Sequence, residues 1–378
     1  MLNKFDDIRP YSSEEIPAAM QRIAGSKQFE ELAKYIFPGR NVEETRQAVR
    51  NIRTTGEFQQ EVMYHVNRQF IDRSISEFTY DGLDGLDPEK NCLFVSNHRD
   101  IMLDSSLLQY LLHVNGFRTT EITFGSNLMD SQLAVDIGKA NKMFKVIRSS
   151  NSREFIRNSR HLSEYIRHTL TEKGESVWIA QRNGRTKDGN DQTDPGIIKM
   201  FCMSRPQDLV ESVGELNIVP VAISYEKEPC DILKTREVYL SRRDGKYVKQ
   251  PGEDMNSILT GIRQPKGHVH ISICPPLTGK DLAMDFKNPK EFYKQVAALI
   301  DKRIYGGYRL HAGNFIAFDL RTGEDTYFGE TYTPDEELDF MIRFGRMLAE
   351  IDGDRETLRS IFLDIYATPV DNVINANK

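Results

Sequence analysis

Residues 92–104 read CLFVSNHRDIMLD, and this stretch decides the fold class of the chain. The apolar run 92–95 predicts a buried strand, and the apolar periodic segment 105–114 predicts a helix. The polar residues between them then form a sharp turn at the carboxyl edge of a sheet, where open α/β folds place their chemistry. The stretch therefore predicts an α/β protein with a functional site around His98.

Outward from this stretch, short strands alternate with helices. Strands are predicted at 121–124, 144–147, 176–180, 217–223, 237–240 and 268–273. Helices are predicted at 103–114, 132–140, 152–173, about 196–203, 288–302 and 335–350. Such alternation is typical of layered α/β folds, so we expect a mixed sheet flanked by helices.

The sequence divides into three predicted regions. Residues 1–75 form a helical N-terminal region, in which Ser12-Ser13-Glu14-Glu15 predicts the start of a helix. Residues 76–300 form the α/β domain, and residues 301–378 form a mostly helical C-terminal extension. No motif with recognisable chemistry lies between residues 231 and 378.

Composition narrows the class of protein. The net charge of −6 over 378 residues argues against wholesale nucleic-acid binding. The four cysteines lie far apart, which predicts reduced, mostly buried thiols of a cytosolic protein. The N-terminus lacks the apolar core of a signal peptide, and no apolar run approaches the roughly 18 to 20 residues that span a bilayer. Any membrane contact is therefore expected to be peripheral.

Charge is distributed unevenly along the chain. Residues 139–199 contain 13 Lys or Arg and 7 Asp or Glu, a local balance of +6, so the remainder carries −12. A basic middle in an acidic protein suits an anionic ligand or an anionic lipid surface. Solvation of the helix 152–173 is the simpler explanation for part of this charge.

His98 is the strongest candidate for a catalytic group. A histidine beside a carboxylate is the minimum for a general base, because the carboxylate fixes the imidazole tautomer and stabilises the imidazolium. Asp100 and Asp104 compete for this partnership. Asp100 also fits the N-cap of the following helix, whereas Asp104 returns toward His98 if that helix begins at residue 100 or 101. The residues alone leave the choice open.

Two segments carry candidate anion-binding groups. An apolar strand ends at Arg148, just before a helix that one of three serines would cap, and an arginine at a helix N-terminus suits a phosphate. The loop after strand 176–180 contains Arg182, Gly184 and Arg185. Glycine lets the backbone approach a ligand, and the arginines can hold a phosphate.

Lys145 and Asn97 complete the residues expected to contact the substrate. Lys145 lies in the strand that ends at Arg148, and Asn97 precedes His98. No metal ligand is assigned. His268 and His270 share one face of a strand, but no third ligand is near them in sequence, so ordinary alternation explains them.

These blocks, in this order, resemble the glycerophospholipid acyltransferase family over about residues 78–230. The family's first motif is a histidine, four residues and an aspartate, usually after an asparagine or serine. Asn97-His98 matches well, but five residues separate His98 from Asp104. The second motif, an apolar strand ending in arginine, looks like Phe144 to Arg148.

The later motifs depart further from the family pattern. The usual Phe-Pro-Glu-Gly-Thr-Arg-Ser is replaced by Ala180-Gln181-Arg182-Asn183-Gly184-Arg185-Thr186, in which only the glycine keeps its place. Asn183 stands where the family has glutamate, and an arginine comes one position early. Ile218-Val219-Pro220-Val221 resembles the apolar fourth motif. The departures indicate a divergent, bacterial-type subgroup.

The resemblance implies an O-acyltransferase that moves a fatty acyl group from acyl-CoA or acyl carrier protein to a hydroxyl of glycerol 3-phosphate, lysophosphatidate or a related lyso-lipid. His98 would be the general base and Asp104 its favoured partner, with Arg148, Arg182 and Arg185 holding an anionic head group. No cofactor beyond the acyl donor is implied. The expected location is cytoplasmic, peripheral on the inner face of the membrane.

Two other functions fit the same residues. The His–Asp pair could activate water against a thioester, which would make the chain an acyl-thioester hydrolase. A peripheral lipid-binding protein with a degenerate site would also combine a helical N-terminus with a basic middle. Acceptor-dependent product formation separates the transferase from both.

Overall fold

A seven-stranded mixed sheet forms the centre of the molecule. The computed structural model describes residues 4–129, 131–147, 149 and 151–377. The strands are β1 Ile75–Asp81, β2 Leu93–Ser96, β3 Glu121–Gly125, β4 Met143–Val146, β5 Val177–Ala180, β6 Ile218–Tyr225 and β7 Gly267–Ile273. They lie in the order β1-β7-β6-β2-β5-β3-β4. Neighbours are parallel except for β6 and β7, which are antiparallel.

Helices precede, connect and follow the strands. Before the sheet come α1 Ile16–Gly25, α2 Phe29–Ile36, α3 Val42–Asn51, α4 Thr55–Phe58 and α5 Tyr64–Ser74. Between strands lie α6 Leu103–Val114, α7 Gln132–Ala140, α8 Ser152–Thr171, α9 Pro195–Cys202, α10 Leu209–Gly214, α11 Asp231–Asp244 and α12 Glu253–Arg263. After β7 come α13 Gly279–Leu282, α14 Pro289–Gly306, α15 Ala312–Thr322, α16 Pro334–Glu350 and α17 Arg355–Ala376. The predicted class, a mixed sheet flanked by helices with a helical N-terminal addition, is confirmed.

Both faces of the sheet are buried. In β2, Leu93 and Val95 join the core formed with α8, α9, α10 and α14, whereas Phe94 joins the opposite core formed with α5 and α6. In β5, Val177 faces the first core and Trp178 the second. Because side chains alternate across a strand, a strand covered on both faces is apolar throughout. This explains the continuous apolar runs of the sequence.

One predicted strand is wrong. Residues 237–240 were expected to be extended, but they lie in the middle of α11. The run Glu237-Val238-Tyr239-Leu240 has strand-like composition. Its apolar residues instead serve two surfaces of a helix: Val238 lines a cavity, and Tyr239 packs on the C-terminal helices.

Two helix starts also differ from expectation. The cap of α8 is Asn151, whose side chain accepts the backbone N–H groups of Arg153 and Glu154, and not a serine. Ser150, one of the expected caps, lies outside the described residues. Helix α1 starts at Ile16 without a side-chain cap, although the carboxylate of Glu15 accepts the N–H of Ser12.

The terminal helices form cores of their own. Apolar side chains of α1 to α4 pack together, as do those of α15 to α17. Helix α14 spans residue 300 and packs on the sheet, so the predicted boundary there falls inside a helix. The division of the chain into three domains stays a prediction.

The carboxyl ends of β2, β5 and β6 meet at one edge of the sheet. β2 lies between β5 and β6, and all three strands are parallel. The turn after β2, the loop after β5 and Tyr225 at the end of β6 are therefore brought together. This edge is where an open parallel sheet presents functional side chains.

The loop after β5 packs closely against α17, and a glycine lies at the point of contact. Gly189 has φ +73°, and a Cβ at this position would collide with the carbonyl oxygen of Ile365. Pro369 lies inside α17 and has no N–H to bond the carbonyl four residues earlier, which is that of Ile365. The loop backbone fills the space beside this carbonyl, so the C-terminal helix helps to hold the loop.

Replacing Gly189 should therefore destabilise the fold. Gly189→Ala combines a left-handed backbone with a backbone clash, and should lower the free energy of unfolding by about 2–4 kcal/mol. Gly174 is the matched control: it has φ +74° but open space around its Cβ position, so Gly174→Ala should cost only about 1 kcal/mol. Urea unfolding measures both, and equal losses would contradict this close packing of the loop.

Candidate active site

A histidine and an aspartate meet in the turn after β2. Nδ1 of His98 lies 2.8 Å from Oδ2 of Asp104, and the aspartate is fully buried. Of the two aspartates left open by the sequence, the structure places Asp104 against His98. The helix begins at Leu103 and not at residue 100 or 101, the start that was predicted to bring Asp104 toward His98. The additional residue lies in the turn, which curls over the carboxylate.

The carboxylate of Asp104 is held by four donors. Besides His98, Oδ2 accepts the backbone N–H groups of Arg99 at 2.7 Å and Asp100 at 2.9 Å. Oδ1 accepts the hydroxyl of Tyr225 at 2.8 Å. An ionised carboxylate only accepts, so Nδ1 of His98 carries the proton and Nε2 is left as the acceptor. This is the tautomer of a general base.

Asp100 caps the helix instead. Its Oδ1 accepts the N–H groups of Met102 and Leu103, both at 2.9 Å. Its Oδ2 has no partner among the described residues and faces Gly261 of α12, where a Cβ would collide with it. Burial, and next the carboxylate of Asp104, raise the pKa of Asp100. The predicted catalytic aspartate Asp100 thus lies in the site but does not contact the imidazole.

His98 opens into a large cavity. The cavity has a volume of about 790 Å³ and is lined by His98 and the edge of the sheet from β3 to β5. Nδ1 is bonded to Asp104, and Nε2 has no hydrogen-bond partner among the described residues. Trp178 supports the imidazole edge-on, with ring centroids 6.0 Å apart. The free nitrogen is therefore the one available to a substrate in the cavity.

One wall of the cavity is apolar. It is built from side chains of β3, β5, α8, α9 and the end of β4, namely Phe124, Ile147, Leu162, Trp178, Ile197 and Met200. Phe155 and Ile156 of α8 continue this wall to the mouth. An apolar channel of this kind suits an alkyl chain.

The other wall is cationic. Arg182, Gly184 and Arg185 line it on the loop after β5, and their predicted contact with the substrate stays a prediction. Four further cations that the sequence did not single out also line the cavity: Lys187, Lys199, Arg242 and Lys249. Lys187 is paired with Glu237, and Lys249 with Asp254. Because Arg242 lies in α11 and Lys249 in the loop between α11 and α12, the segment after residue 231 contributes to the site.

Arg185 is buried with unused hydrogen-bonding capacity. Its Nη2 donates to the hydroxyl of Ser257 at 3.0 Å, but its Nη1 has no partner among the described residues. Gly184, the preceding residue, has φ +75° and open space beside it. Arg182 is half-buried and donates to the carbonyl of Asn190 at 3.1 Å. A buried guanidinium with a spare N–H is suited to an anion.

Below the turn lies a buried network of charges. Arg99 donates to Oδ2 of Asp191 at 2.6 and 2.8 Å and to Glu228 at 2.9 Å. Lys234 contacts Glu228 at 2.6 Å and the carbonyl of Arg99 at 2.7 Å. Burial alone would lower the pKa of Arg99, but the two carboxylates outweigh it and raise that pKa. Two cations and two carboxylates balance, which makes their burial tolerable.

Asn97 belongs to this framework. Its Nδ2 donates to Asp191 at 3.0 Å and to the carbonyl of Ile223 at 2.9 Å, and its Oδ1 accepts the N–H of Ile223 at 2.8 Å. The amide is fully buried and fully used. Asn97 therefore ties β2 to β6, and its position does not favour the predicted substrate contact.

The two residues predicted on β4 contribute little that can be described. Lys145 is outside the cavity lining and lies near Lys139 of α7, whose pKa it helps to lower after burial. Its backbone N–H bonds Ile8. Arg148 lies outside the described residues, so its predicted role stays a prediction.

The C-terminal helices reach the same network. The hydroxyl of Tyr366 in α17 accepts the N–H of Glu228 at 3.1 Å and donates to Asp231 at 2.7 Å. Arg343 of α16 pairs with Asp231 at 2.5 and 2.8 Å. Residues after 301 thus brace the carboxylate that faces Arg99.

Sequence reasoning missed Tyr225, Asp191 and Glu228. Tyr225 carried a weak signal, because it follows the apolar run of β6 and so lies on the same edge as His98. Asp191 lies in a loop rich in turn formers, so its sequence context indicates a turn residue and not a charge partner. Glu228 and its partner Lys234 had no local signal, since their function arises only from the contact with Arg99.

Another buried carboxyl, that of Asp301, anchors the loop after β5. Oδ1 of Asp301 in α14 accepts the N–H of Thr193 at 2.8 Å and its hydroxyl at 2.5 Å. Burial raises the pKa of Asp301 to about 6, against the opposing effect of these bonds. Since the folded pKa is raised, this carboxyl contributes stability below about pH 4 that is lost as pH rises through about 6.

Asp301→Asn should remove this pH dependence. The amide oxygen can still accept from Thr193, but it does not ionise. Between about pH 4 and pH 6, the stability of the wild type should fall relative to the variant by up to about 3 kcal/mol. Urea unfolding of both proteins across this range measures the difference. Parallel curves would show that Asp301 titrates normally.

Among the residues that the structure describes, neither a metal cluster nor a spanning helix is found. Within the described ranges, no group of three or more His, Cys, Asp or Glu side chains is arranged to hold a metal ion. The Thr79 hydroxyl lies 2.5 Å from Nε2 of His268 and 2.8 Å from Nδ1 of His270. No helix in the described part of the chain is both long and apolar enough to cross a bilayer.

The segment that contains His98 and Asp104 matches a known protein family. Residues 77–224 match the family model described as Acyltransferase. No curated protein matches the sequence. Among solved structures, the chain is similar to the 1-acyl-sn-glycerophosphate (LPA) acyltransferase PlsC from Thermotoga maritima, with 14% identity and a TM-score of 0.38. That alignment covers 77% of this chain and 94% of the other.

Proposed function

We propose that the chain, whose residues 77–224 match the acyltransferase family model, transfers a fatty acyl group from an acyl thioester to a hydroxyl of an anionic glycerolipid precursor. The acceptor class is glycerol 3-phosphate, lysophosphatidate or a related lyso-lipid. The donor is acyl-CoA or acyl carrier protein, and no further cofactor takes part. The observation that carries this proposal is His98, with Nδ1 bonded to Asp104 and Nε2 free at the cavity.

His98 acts as the general base. Nε2 takes the proton of the acceptor hydroxyl while that oxygen attacks the thioester carbonyl. The tetrahedral intermediate then expels the thiolate, which recovers the proton from the imidazolium. Asp104 stabilises the imidazolium and keeps the ring in place, and no acyl-enzyme forms.

The two walls of the cavity hold the two ends of the reactants. Arg182 and Arg185 bind the phosphate of the acceptor or of the acyl carrier, because guanidinium groups match phosphate oxygens. The apolar wall from Phe124 to Met200 holds the acyl chain. Burial of about 0.8 kcal/mol per methylene makes chain length a determinant of affinity.

The test is thiol release from palmitoyl-CoA and palmitoyl carrier protein, with the acylated products separated, for the wild type and His98→Ala. Loss of a general base costs about 10² to 10⁴ in rate. The control is His161→Ala, which removes another His–Asp pair, with Asp7 at 3.0 Å, outside the cavity. The control should keep the wild-type rate.

The same assay, run with each proposed acceptor and without any acceptor, decides between the transferase and the hydrolase. Release that requires an anionic acceptor and yields its acyl ester supports the transferase. Release of free acid without any acceptor contradicts it and favours a thioester hydrolase. Full activity in His98→Ala would exclude the proposed base.

A further inference from the structure

We propose that the mouth of the cavity is a docking surface for an anionic lipid bilayer. The proposal rests on the proposed function, since it explains how the cavity meets lipid substrates. It is carried by exposed apolar side chains and cations that surround the same opening.

Apolar side chains are exposed beside the cavity on two segments of the chain. Phe155 and Ile156 line the cavity, yet they are 58% and 53% exposed. Val248 and Met255 are 63% and 48% exposed. These two are adjacent in the chain to Lys249 and Asp254, which line the cavity. Large apolar groups exposed beside an apolar channel would each gain by entering a lipid interface.

Cations stand beside these apolar groups. Arg153 and Arg160 lie three residues before and four residues after Ile156, so they share its side of α8. Both are exposed, as is Arg157, and none of the three pairs with a carboxylate among the described residues. Lys246 is exposed two residues before Val248. Unpaired cations around apolar side chains match the surface of an anionic membrane.

A second apolar patch has the opposite electrostatic setting. On α16, Leu338 and Ile342 are 60% and 49% exposed, but their neighbours include Asp335, Glu337 and Asp339. An anionic bilayer would repel that patch. The comparison favours the cavity mouth, because apolar exposure and positive charge coincide there.

The N-terminal helices do not offer such a surface. Their apolar side chains, such as Ile16, Met20 and Phe29, are buried against one another. A bilayer at the mouth would instead place the acyl chain of a lipid directly beside the apolar wall that leads to His98.

Cosedimentation with vesicles tests the surface without requiring turnover. The vesicles are phosphatidylcholine alone and phosphatidylcholine mixed with phosphatidylglycerol. The variants are Arg153→Glu with Arg160→Glu, and Val248→Asp with Met255→Asp, none of which lines the cavity. Each pair should weaken binding to the anionic vesicles by at least about tenfold. The control, Leu338→Asp with Ile342→Asp, should bind like the wild type.

Turnover of a water-soluble pair, a short-chain acyl-CoA with glycerol 3-phosphate, should be unchanged in both variant pairs. A loss of vesicle binding with this turnover intact supports docking at the mouth. Docking there is overturned if the wild type ignores anionic vesicles, if it binds neutral vesicles equally well, or if the α16 control loses as much binding. Failure of turnover in every protein with each of the proposed acceptors would overturn the proposed function, while the sedimentation result would still decide the docking surface.

Discussion

The structure depends on compensating the charge buried beneath the turn after β2. Arg99 is buried below the turn, whereas His98 faces the cavity. The guanidinium must therefore pair with carboxylates inside the protein. Asp191 comes from the loop after β5, and Glu228 from the segment after β6. Each carboxylate brings its own segment to the edge of the sheet. The pairing of the buried Arg99 with these two carboxylates therefore helps to assemble the site.

This requirement explains why so much chain lies outside the central domain. Glu228 is braced by Lys234 of α11 and, through its backbone N–H, by Tyr366 of α17. Tyr366 in turn bonds Asp231, which Arg343 of α16 neutralises. The C-terminal helices thus support the buried charges beneath the site, although they supply no group that contacts the reacting atoms.

The features that could be predicted from the sequence are those that depend on neighbouring residues in the chain. The strand, turn and helix around His98, the cationic loop with Arg182 and Arg185, and the mixed sheet all have signals within one element or its neighbours. The pairing of His98 with Asp104 was open, because it depends on how the turn curls. The roles of Asn97 and Glu228 come from contacts more than one hundred residues apart in the chain. The composition of residues 237–240 predicts a strand, but composition does not show which surfaces a segment will meet.

The most direct measurement is the ¹⁵N NMR spectrum of His98 with its imidazole in the uncharged form, with Asp104→Asn for comparison. We expect the proton on Nδ1 and none on Nε2, since Asp104 accepts from the ring and is itself fixed by Tyr225. In the variant, the amide group should weaken this preference. A wild-type ring protonated on Nε2 would contradict the account, because the nitrogen facing the substrate could then no longer act as the base.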